Sequence, residues 1–536
     1  MKDTADNFVY LISCTRVKPM EGETLGELMR RSGSEVAEPC GGNGTCGKCR
    51  VKIRGVVTDC SERERLLLSD EEIEAGIRLA CITPAKRGMV VSRADVEPQH
   101  MRILSGEECA AADNDGSKDE KVLFSIAVDI GTTTIVAYLV NKSCGAVIAV
   151  SSAMNPQVTF GADVISRIGY ASEREDGLAV LQSRAVDAVN RLIFNLQRRA
   201  SVSEDEITEV VVSANTTMEH LFAGVSPASI GRAPFTPQYN EFPTLTAAHM
   251  NLALSPETVV RLLPNISGFV GGDITAGIIY TGMTKSEKLS LLIDIGTNNE
   301  MVLGCKDFLL CCSAAAGPAL EGAKISQGMC ASEGAIDHIK KEPGGIYVST
   351  IDNIPAVGIC GSGLVDAITL LLEEHIIDNS GKFEKKLSPE NVLYERLDVG
   401  QRRFLLSKNS KRSIFITQKD IRELQLAKSA IATGIEIMLE EAGKRLEDID
   451  MVFLAGAFGN YLNIENAMKT GILPQLPVEK IKSVGNSSGL GAIEFILHPE
   501  HWREARRVIS SAKHIELATH REFPLKFVKN LSFYLS

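Results

Sequence analysis

The chain has 536 residues, of which 44% are hydrophobic and 23% charged, and its formal net charge is −11. This length and composition predict a soluble protein of two to four domains with sizeable cores. The acidic balance argues against nonspecific nucleic-acid binding and against a basic membrane anchor, and no apolar run reaches the roughly 18–20 residues of a spanning helix.

The chain contains 13 cysteines, an odd number spread over a long sequence. Secreted disulfide frameworks are usually small and contain an even number of cysteines. We therefore expect reduced thiols in a cytoplasmic protein, with some of them acting as metal ligands.

Near the start of the chain, three cysteines and four glycines crowd into the stretch "CGGNGTCGKC". Cys40, Cys46 and Cys49 are spaced as C-x5-C-x2-C, and a [2Fe–2S] cluster takes three thiolates from one loop and a fourth from a distant segment. Cys81 in "LACITPA" and Cys60 in "TDCSER" are the candidates for the fourth ligand, and the apolar segment before Cys81 favours it. The alternative is zinc, but a zinc ribbon prefers two C-x2-C pairs and the chain offers one.

The spacing of these cysteines and the "LAC" before the fourth candidate resemble ferredoxins of the adrenodoxin and putidaredoxin type. The polar and acidic segment "SGEECAAADNDGSKDEK" then predicts a linker. Beyond it, β-branched runs alternate with helical patterns. Residues 123–140 predict a β-hairpin, residues 175–200 a helix, and residues 416–446 a second long helix that begins with a Thr417–Asp420 capping pattern.

Two segments echo each other, "SIAVDIGTTT" and "SLLIDIGTNN", and their aspartates, Asp129 and Asp294, lie 165 positions apart. A glycine-threonine turn after a strand can direct backbone N–H groups and hydroxyls at a phosphate, and the aspartate can hold Mg²⁺ through water. Two such loops predict two similar α/β lobes that grip a nucleotide from both sides. The predicted phosphate-binding residues of these loops are Gly131, Thr132, Thr133, Gly296, Thr297 and Asn298.

Further glycine-rich corners occur in "FVGGDITAG", "AAGPALEGA", "MVFLAGAFGNYL" and "SVGNSSGLGA". Each of them has an alternative interpretation as tight packing between a strand and a helix. No Walker loop of the form G-x-x-x-x-G-K-[ST] is present. From the first three corners, the predicted nucleotide-site residues are Gly271, Gly272, Asp273, Gly317, Glu321, Gly456, Gly459 and Asn460.

In order, "DIGTTT", "DIGTNNE", "LAGAFGNYL" and "VGNSSGLGA" resemble the phosphate 1, phosphate 2, adenosine and connecting motifs of the actin-like ATPases, which include acetate and sugar kinases, Hsp70 and actin. The resemblance covers about residues 122–500. It implies ATP in a cleft between two lobes, each with a ribonuclease-H-like sheet. The fold class expected is therefore an N-terminal β-grasp [2Fe–2S] ferredoxin-like α+β domain followed by an α/β actin-like ATPase.

A ferredoxin joined to an actin-like ATPase resembles the reductive activators of corrinoid enzymes, and "NPQVTFGADVISRI", "ANTTMEHLF" and "AAGPALEGAKIS" are also similar to that family. The resemblance implies ATP-dependent reduction of an oxidised Co(II) corrinoid to Co(I). It also implies that the corrinoid stays in a partner protein, which agrees with the lack of a D-x-H-x-x-G signature here. The upstream electron donor and a homodimer are left open.

The expected domain boundaries follow from these resemblances. Some relatives carry a middle domain before the ATPase, and the short linker predicts that this domain is missing. The predicted ranges are 1–101 for the ferredoxin-like domain, 102–121 for the linker, 122–285 for the first ATPase lobe, and 286–536 for the second lobe with the C-terminal closure.

Three other functions compete with this interpretation. A kinase-like or hydantoinase-like enzyme could place Glu321 in a small-molecule pocket, although a fused ferredoxin has no obvious use there. An actin-like scaffold with a redox-sensing head is the second alternative. The third is an activator of 2-hydroxyacyl-CoA dehydratases, in which a cluster bridges two subunits without a separate ferredoxin head.

Overall fold

The computed structural model describes residues 9–10, 16–20, 22–32, 47, 49–56, 58–93, 123–296, 298–315, 317–322, 324–384, 391–410, 412–456 and 461–533. Cys40, Cys46, Thr297, Gly459, Asn460 and the predicted linker 102–121 lie outside the described residues. The chain divides into two compact units, Met1–Gln99 with Pro156–Tyr170, and His100–Asn155 with Ala171–Ser536. Within the described ranges, no helix is both long enough and apolar enough to cross a membrane.

The first unit contains a five-stranded sheet in the order β2-β1-β5-β3-β4, in which β1 and β5 are parallel and the other neighbours antiparallel. Its three short N-terminal helices each begin with a capping box, at Thr24, Ser61 and Ser69. This arrangement is a β-grasp fold. The strands are β1 (Val9–Tyr10), β2 (Arg16–Val17), β3 (Arg50–Gly55), β4 (Ile77–Leu79) and β5 (Met89–Arg93), and the helices are α1 (Leu25–Arg31), α2 (Glu62–Leu67), α3 (Asp70–Glu74) and α4 (Val164–Glu173).

The second unit begins with a six-stranded sheet, hereafter lobe I, in the order β10-β11-β9-β6-β7-β8. Its central strands are rich in Val, Ile and Ala and are almost fully buried, as expected for strands covered on both faces. Its elements are β6 (Phe124–Ile130), β7 (Thr134–Asn141), β8 (Val147–Met154), β9 (Ile207–Ala214), β10 (Leu245–Thr246), β11 (Val259–Leu262), α5 (Gly177–Ala200), α6 (Thr216–Phe222), α7 (Ala247–Met250) and α8 (Gly272–Thr281).

Lobe II carries a second six-stranded sheet, in the order β22-β21-β12-β13-β14-β23, and two three-stranded sheets, β16-β15-β17 and β18-β19-β20. Its strands are β12 (Ser290–Ile295), β13 (Asn299–Cys305), β14 (Phe308–Ala314), β15 (Ala335–Glu342), β16 (Gly345–Thr350), β17 (Gly358–Ile359), β18 (Leu397–Asp398), β19 (Arg403–Lys408), β20 (Ser413–Thr417), β21 (Met451–Ala455), β22 (Ile481–Gly485) and β23 (Lys513–His514). Its helices are α9 (Gly361–Glu373), α10 (Gln418–Glu441), α11 (Ile464–Thr470), α12 (Ser487–Leu497), α13 (His501–Ser511) and α14 (Phe523–Lys529).

The two large sheets repeat one topology. In lobe I, β6 pairs with β7 antiparallel and with β9 parallel, and in lobe II, β12 pairs with β13 antiparallel and with β21 parallel. The outer strands follow the same rule, since β11 and β22 are parallel to β9 and β21. Each lobe therefore has the ribonuclease-H-like strand order, which confirms the expected actin-like fold.

Helices α8 and α12 join the two lobes. Each follows the last parallel strand of its own sheet, and the two helices pack against each other within a core that takes residues from both lobes. A Cβ atom at Gly491 would lie 2.4 Å from the carbonyl oxygen of Ala276, so the contact requires glycine there. The glycine-rich corner "SVGNSSGLGA" thus serves helix packing as well as any ligand.

The two long helices predicted from periodicity are present as α5 and α10. The Thr417–Asp420 capping box at the start of α10 is confirmed, because each side chain bonds the other residue's backbone N–H. The helix ends at Glu441, five residues before the end of the predicted stretch. Gly443 has a φ of +62°, a left-handed conformation that commonly terminates a helix.

Candidate iron–sulfur and nucleotide sites

Two of the predicted cluster ligands meet in the first unit. Cys49 lies just before β3 and Cys81 just after β4, and these neighbouring strands bring their Sγ atoms to 3.1 Å. Both thiols are buried and neither forms a disulfide. Two thiolates on one tetrahedral metal, with metal–sulfur bonds of about 2.3 Å, lie roughly 3.8 Å apart. A small adjustment would therefore let this pair bind one iron of a cluster.

Cys60, the alternative fourth ligand, has different surroundings. Its thiol is partly exposed and donates to the carbonyl oxygen of Ser61 at 3.7 Å. Cys81 therefore has the better position for shared ligation with Cys49. Cys40 and Cys46 lie outside the described residues, so the rest of the predicted ligand set stays a prediction.

Arg50 ties the cysteine loop to its surroundings, a role that the sequence analysis missed. Its guanidinium donates to the carbonyl oxygens of Gly47 and Leu67 and pairs with Glu72 at 3.1 Å. Gly47 has a φ of +65°, which favours glycine at this turn. The backbone beside Cys49 is thus held from the side of α2 and α3.

The first DIGT loop is held by two asparagines from distant parts of lobe I. Asn155 donates from its side chain to the carbonyl oxygen of Gly131 and from its backbone to that of Thr133, both at 2.8 Å. Asn215 donates to the hydroxyl of Thr132 at 3.1 Å. The predicted phosphate-1 loop is therefore a turn that three hydrogen bonds from other segments hold in place.

Asp129, near the end of β6, accepts two hydrogen bonds from the start of α12. Asn486 donates to its Oδ2 at 2.9 Å and Ser488 to its Oδ1 at 2.7 Å. Burial raises the pKa of Asp129, and the bonds from Ser488 and Asn486 partly oppose that increase. Residues more than 350 positions away thus counteract part of the effect of burial on this carboxyl.

Asp294, the counterpart of Asp129, lies beside the second DIGT loop and the start of the adenosine-type corner. Gly456 has a φ of +89°, and a Cβ atom there would lie 2.9 Å from Oδ1 of Asp294. A Cβ atom at Gly296 would be 3.7 Å from Oε1 of Glu321, whose other oxygen accepts from Thr133 at 3.4 Å. Glu321 thus lies between the two phosphate-type loops.

Several carboxyl groups converge in this region. Burial, together with the charges of Asp129 and Glu321, raises the pKa of Asp294 to about 7. Burial, then the charges of Asp294 and Asp129, raise the pKa of Asp273 to about 8. Glu300, directly opposite Asp294 across the strand pair, has its pKa raised well above the usual range by burial and by the charges of Asp273 and Asp294. Among the described residues, no three such side chains are placed to hold a metal ion directly. Since Mg²⁺ keeps several of its waters when it binds, these carboxyls would contact it mainly through water.

The remaining predicted residues differ in what they contact. A Cβ atom at Gly271 would lie 2.5 Å from the backbone of Asn215, and one at Gly272 would lie 2.4 Å from a carboxyl oxygen of Glu219. These two glycines therefore permit close packing of α6 against α8, as the packing interpretation expected. Gly317 has a φ of +75° in the turn before Glu321. Asn298 closes the second loop by accepting the Gly296 N–H at 3.2 Å.

These features together define a class of protein, an actin-like ATPase fold that carries a ferredoxin domain on the same chain. Comparison with known families agrees. Residues 13–86 match the 2Fe-2S iron-sulfur cluster binding domain, residues 124–286 the RACo middle region, and residues 288–535 the C-terminal domain of RACo, the ASKHA domain.

A solved structure titled reductive activator for corrinoid, iron-sulfur protein aligns with a TM-score of 0.70 and 32% identity over 98% of both chains. The corrinoid activation enzyme RamQ of Eubacterium limosum is 36% identical over 78% of this chain and 71% of its own length. The [Co(II) methylated amine-specific corrinoid protein] reductase of Methanosarcina barkeri is 28% identical over 51% of each chain. The chain belongs to the family of reductive activators of corrinoid proteins.

One expectation is wrong. The short linker predicted that the family's middle domain is missing, but residues 124–286 match the middle region of that family. The lobe I sheet lies within this range. The middle region is therefore part of the duplicated fold, which is why no extra segment separates it from the linker.

Proposed function

We propose that this protein reactivates a corrinoid protein by ATP-dependent one-electron reduction. A [2Fe–2S] cluster held by Cys40, Cys46, Cys49 and Cys81 would supply the electron, and a Co(II) corrinoid in the partner would accept it and become Co(I). The observation that carries the proposal is the presence, on one chain, of a buried thiol pair suited to iron and a duplicated pair of loops suited to a nucleotide.

ATP is proposed to bind between the two lobes. Asp129 and Asp294 would orient Mg²⁺ and the attacking water, while the loop N–H groups with Thr132 and Thr133 would hold the phosphates. Because positioning and charge stabilisation dominate phosphoryl chemistry, this arrangement of fixed donors and carboxyls supports hydrolysis. Glu321 lies between the loops and would respond to the charge that arrives with the phosphates.

Nucleotide is needed because the electron acceptor is difficult to reduce. Plant-type clusters lie near −400 mV, and a coupling free energy of about 1–3 kcal/mol shifts a one-electron potential by roughly 45–130 mV. The nucleotide can provide this coupling only through different affinities for the open and closed forms of the two lobes. We therefore propose that ATP changes the affinity of the ATPase lobes for the corrinoid partner.

The deciding experiment follows the Co(II) signal of a candidate corrinoid protein by electron paramagnetic resonance, with reductant, with and without ATP. Loss of the signal that requires this protein and ATP is expected. Cys81→Ser should abolish the effect, whereas Cys144→Ser, at an exposed cysteine, should not. Equal rates without ATP would contradict the ATP-dependent function, and hydrolysis stimulated only by a small molecule would favour a kinase-like enzyme.

A further inference from the structure

Helix α6, from the segment "ANTTMEHLF", is buried on every side although several of its residues are polar. Glu219 and His220 have no exposed surface. Buried polar side chains are stable only when they are hydrogen-bonded, so their partners indicate what the helix holds in place. His220 bonds the carbonyl oxygen of Thr216 and the N–H of Tyr239, whereas the partners of Glu219 and of the capping residue Asn215 belong to two parts of the proposed nucleotide site.

The first partner is the phosphate-1 loop. Asn215 caps α6 by accepting from the backbone N–H of Met218 at 3.0 Å, and its amide nitrogen donates to the hydroxyl oxygen of Thr132 at 3.1 Å. One side chain thus fixes both the start of the helix and the threonine of the loop. Because the Thr132 oxygen accepts this bond, its own proton must point in another direction, which defines how the hydroxyl can donate.

The second partner is the start of α8. Glu219, one turn after Asn215, accepts from the side chain of Asn265 at 2.7 Å, and Asn265 accepts the backbone N–H of Gly272 at 2.9 Å. Gly272 is the first residue of α8 and Asp273 the second. Glu219 thus holds the backbone that carries Asp273, through one intervening amide.

We propose that Asn215 and Glu219 are positioning residues that hold Thr132 and Asp273 in a fixed relation for binding of Mg·ATP, so that α6 braces the two sides of the phosphate site. This inference rests on the proposed nucleotide-binding function and extends it to residues with no assigned role. The close packing of the two helix starts, which permits no Cβ atom at Gly272, makes the brace rigid.

The protonation state of the Glu219 carboxyl determines which substitution should preserve its hydrogen bond to Asn265. Burial raises its pKa well above the usual range, which favours the neutral acid. Among the described residues, its second carboxyl oxygen has no hydrogen-bond partner. A glutamine would keep the shape, the neutrality and the acceptor for Asn265. We therefore expect Glu219→Gln to behave like the wild type and Glu219→Ala to lower kcat/KM about 5-fold or more, since Asn265 loses its acceptor.

The Asn215→Ser variant should remove the hydrogen bond to Thr132 while it keeps the cap of α6. Serine caps helices as well as asparagine does but has no amide that can donate to Thr132. We expect the Kd and KM for Mg·ATP to rise roughly 2- to 13-fold, the value of one hydrogen bond, with an unchanged thermal midpoint. In a Thr132→Ala background, Asn215→Ser should have no further effect. The matched control is Asn463→Ser, which changes the asparagine cap of α11 in lobe II and should leave Kd and KM unchanged.

The results of these measurements distinguish failure of the proposed positioning role from failure of the proposed nucleotide-binding function. If the wild type does not bind Mg·ATP, the proposed function fails and the brace fails with it. If the wild type binds and hydrolyses ATP while Asn215→Ser matches it, only the brace is refuted. The same conclusion follows if the two substitutions at Asn215 and Thr132 act additively, or if Glu219→Gln is as damaging as Glu219→Ala.

Discussion

Replacing Asp294 by asparagine should stabilise the nucleotide-free protein while it impairs ATP hydrolysis. The Asp294 carboxyl is desolvated and faces the carboxyls of Asp129 and Glu321, and its pKa is therefore raised to about 7 from an ordinary value of 3.8. Asparagine has nearly the same shape but cannot ionise, so it relieves this electrostatic cost. It also removes a carboxylate that we place beside the phosphates.

The direction and size of the effect follow from proton linkage. Between about pH 4 and 7, the Asp294 carboxyl is ionised in the unfolded chain but protonated in the folded chain. Its contribution to the free energy of unfolding is therefore largest below about pH 4 and is lost as the pH rises towards 7. A shift of about 3 units corresponds to about 4 kcal/mol at 1.36 kcal/mol per unit. Since the side chain of Asp294 is only half-buried by accessible area, water will reduce this figure, and it is an upper bound.

The measurement is the thermal midpoint from pH 4.5 to 8, with a chelator and without nucleotide. The midpoint of Asp294→Asn, relative to wild type, should increase by several degrees across this range. Asp307→Asn, at an exposed position between β13 and β14, is the matched control and should show no such trend. A difference between Asp294→Asn and wild type that does not change with pH would refute the reasoning, because Asp294 would then titrate alike in the folded and unfolded chains.

Other predictions follow from the same geometry. Cys81→Ser should sharply reduce iron content and visible absorbance, and full iron in that variant with loss in Cys60→Ser would assign the ligand to Cys60 instead. Asp129→Ala should lose ATPase activity while iron content stays normal, and unchanged turnover would contradict a role for it in catalysis. Gly456→Ala should lower thermal stability by about 1–2 kcal/mol or more, as measured by denaturation, because of its left-handed φ and the adjacent carboxylate. ATP should dissociate the complex with an oxidised corrinoid partner, and equal affinity with and without ATP would contradict the coupling.

The sequence alone predicts the elements that depend on local pattern. Strand-turn-strand alternation located the hairpin that carries Asp129, helical periodicity located α5 and α10, and the capping pattern marked the start of α10 at Thr417. The repeated DIGT loops predicted a duplicated lobe, which the sheet topology confirms. Each of these patterns lies within one continuous stretch and reflects the geometry of a single element, and the duplication is visible because one such stretch occurs twice.

The contacts that were missed join distant segments. Asn486 and Ser488 hold Asp129 across more than 350 positions, and Asn215 reaches Thr132 across 83. Such pairs depend on which strands are neighbours, and no local periodicity records that order. Glu300 could have been predicted more easily as a residue of the site, because it directly follows the second DIGT loop in the sequence. Its burial, which raises its pKa, can be recognised only when the position of the neighbouring strand is known.

The duplication also explains how two equivalent aspartates come to differ. Asp129 and Asp294 occupy matching positions, each one residue before the end of the central strand of its sheet. Asp129 accepts from Asn486 and Ser488 at the start of α12, so these bonds and the helix dipole oppose the increase in its pKa that burial causes. Asp294 instead faces carboxyls across the cleft, which favour the neutral form until a cation arrives. One scaffold, used twice, thus yields two aspartates whose pKa values are both raised by burial, with hydrogen-bond donors opposing the increase at Asp129 and facing carboxyls adding to it at Asp294. We therefore expect that Mg·ATP, bound as proposed, changes the pKa of Asp294 more than that of Asp129, because Asp294, unlike Asp129, has no hydrogen-bond donor among the described residues that opposes the effect of burial.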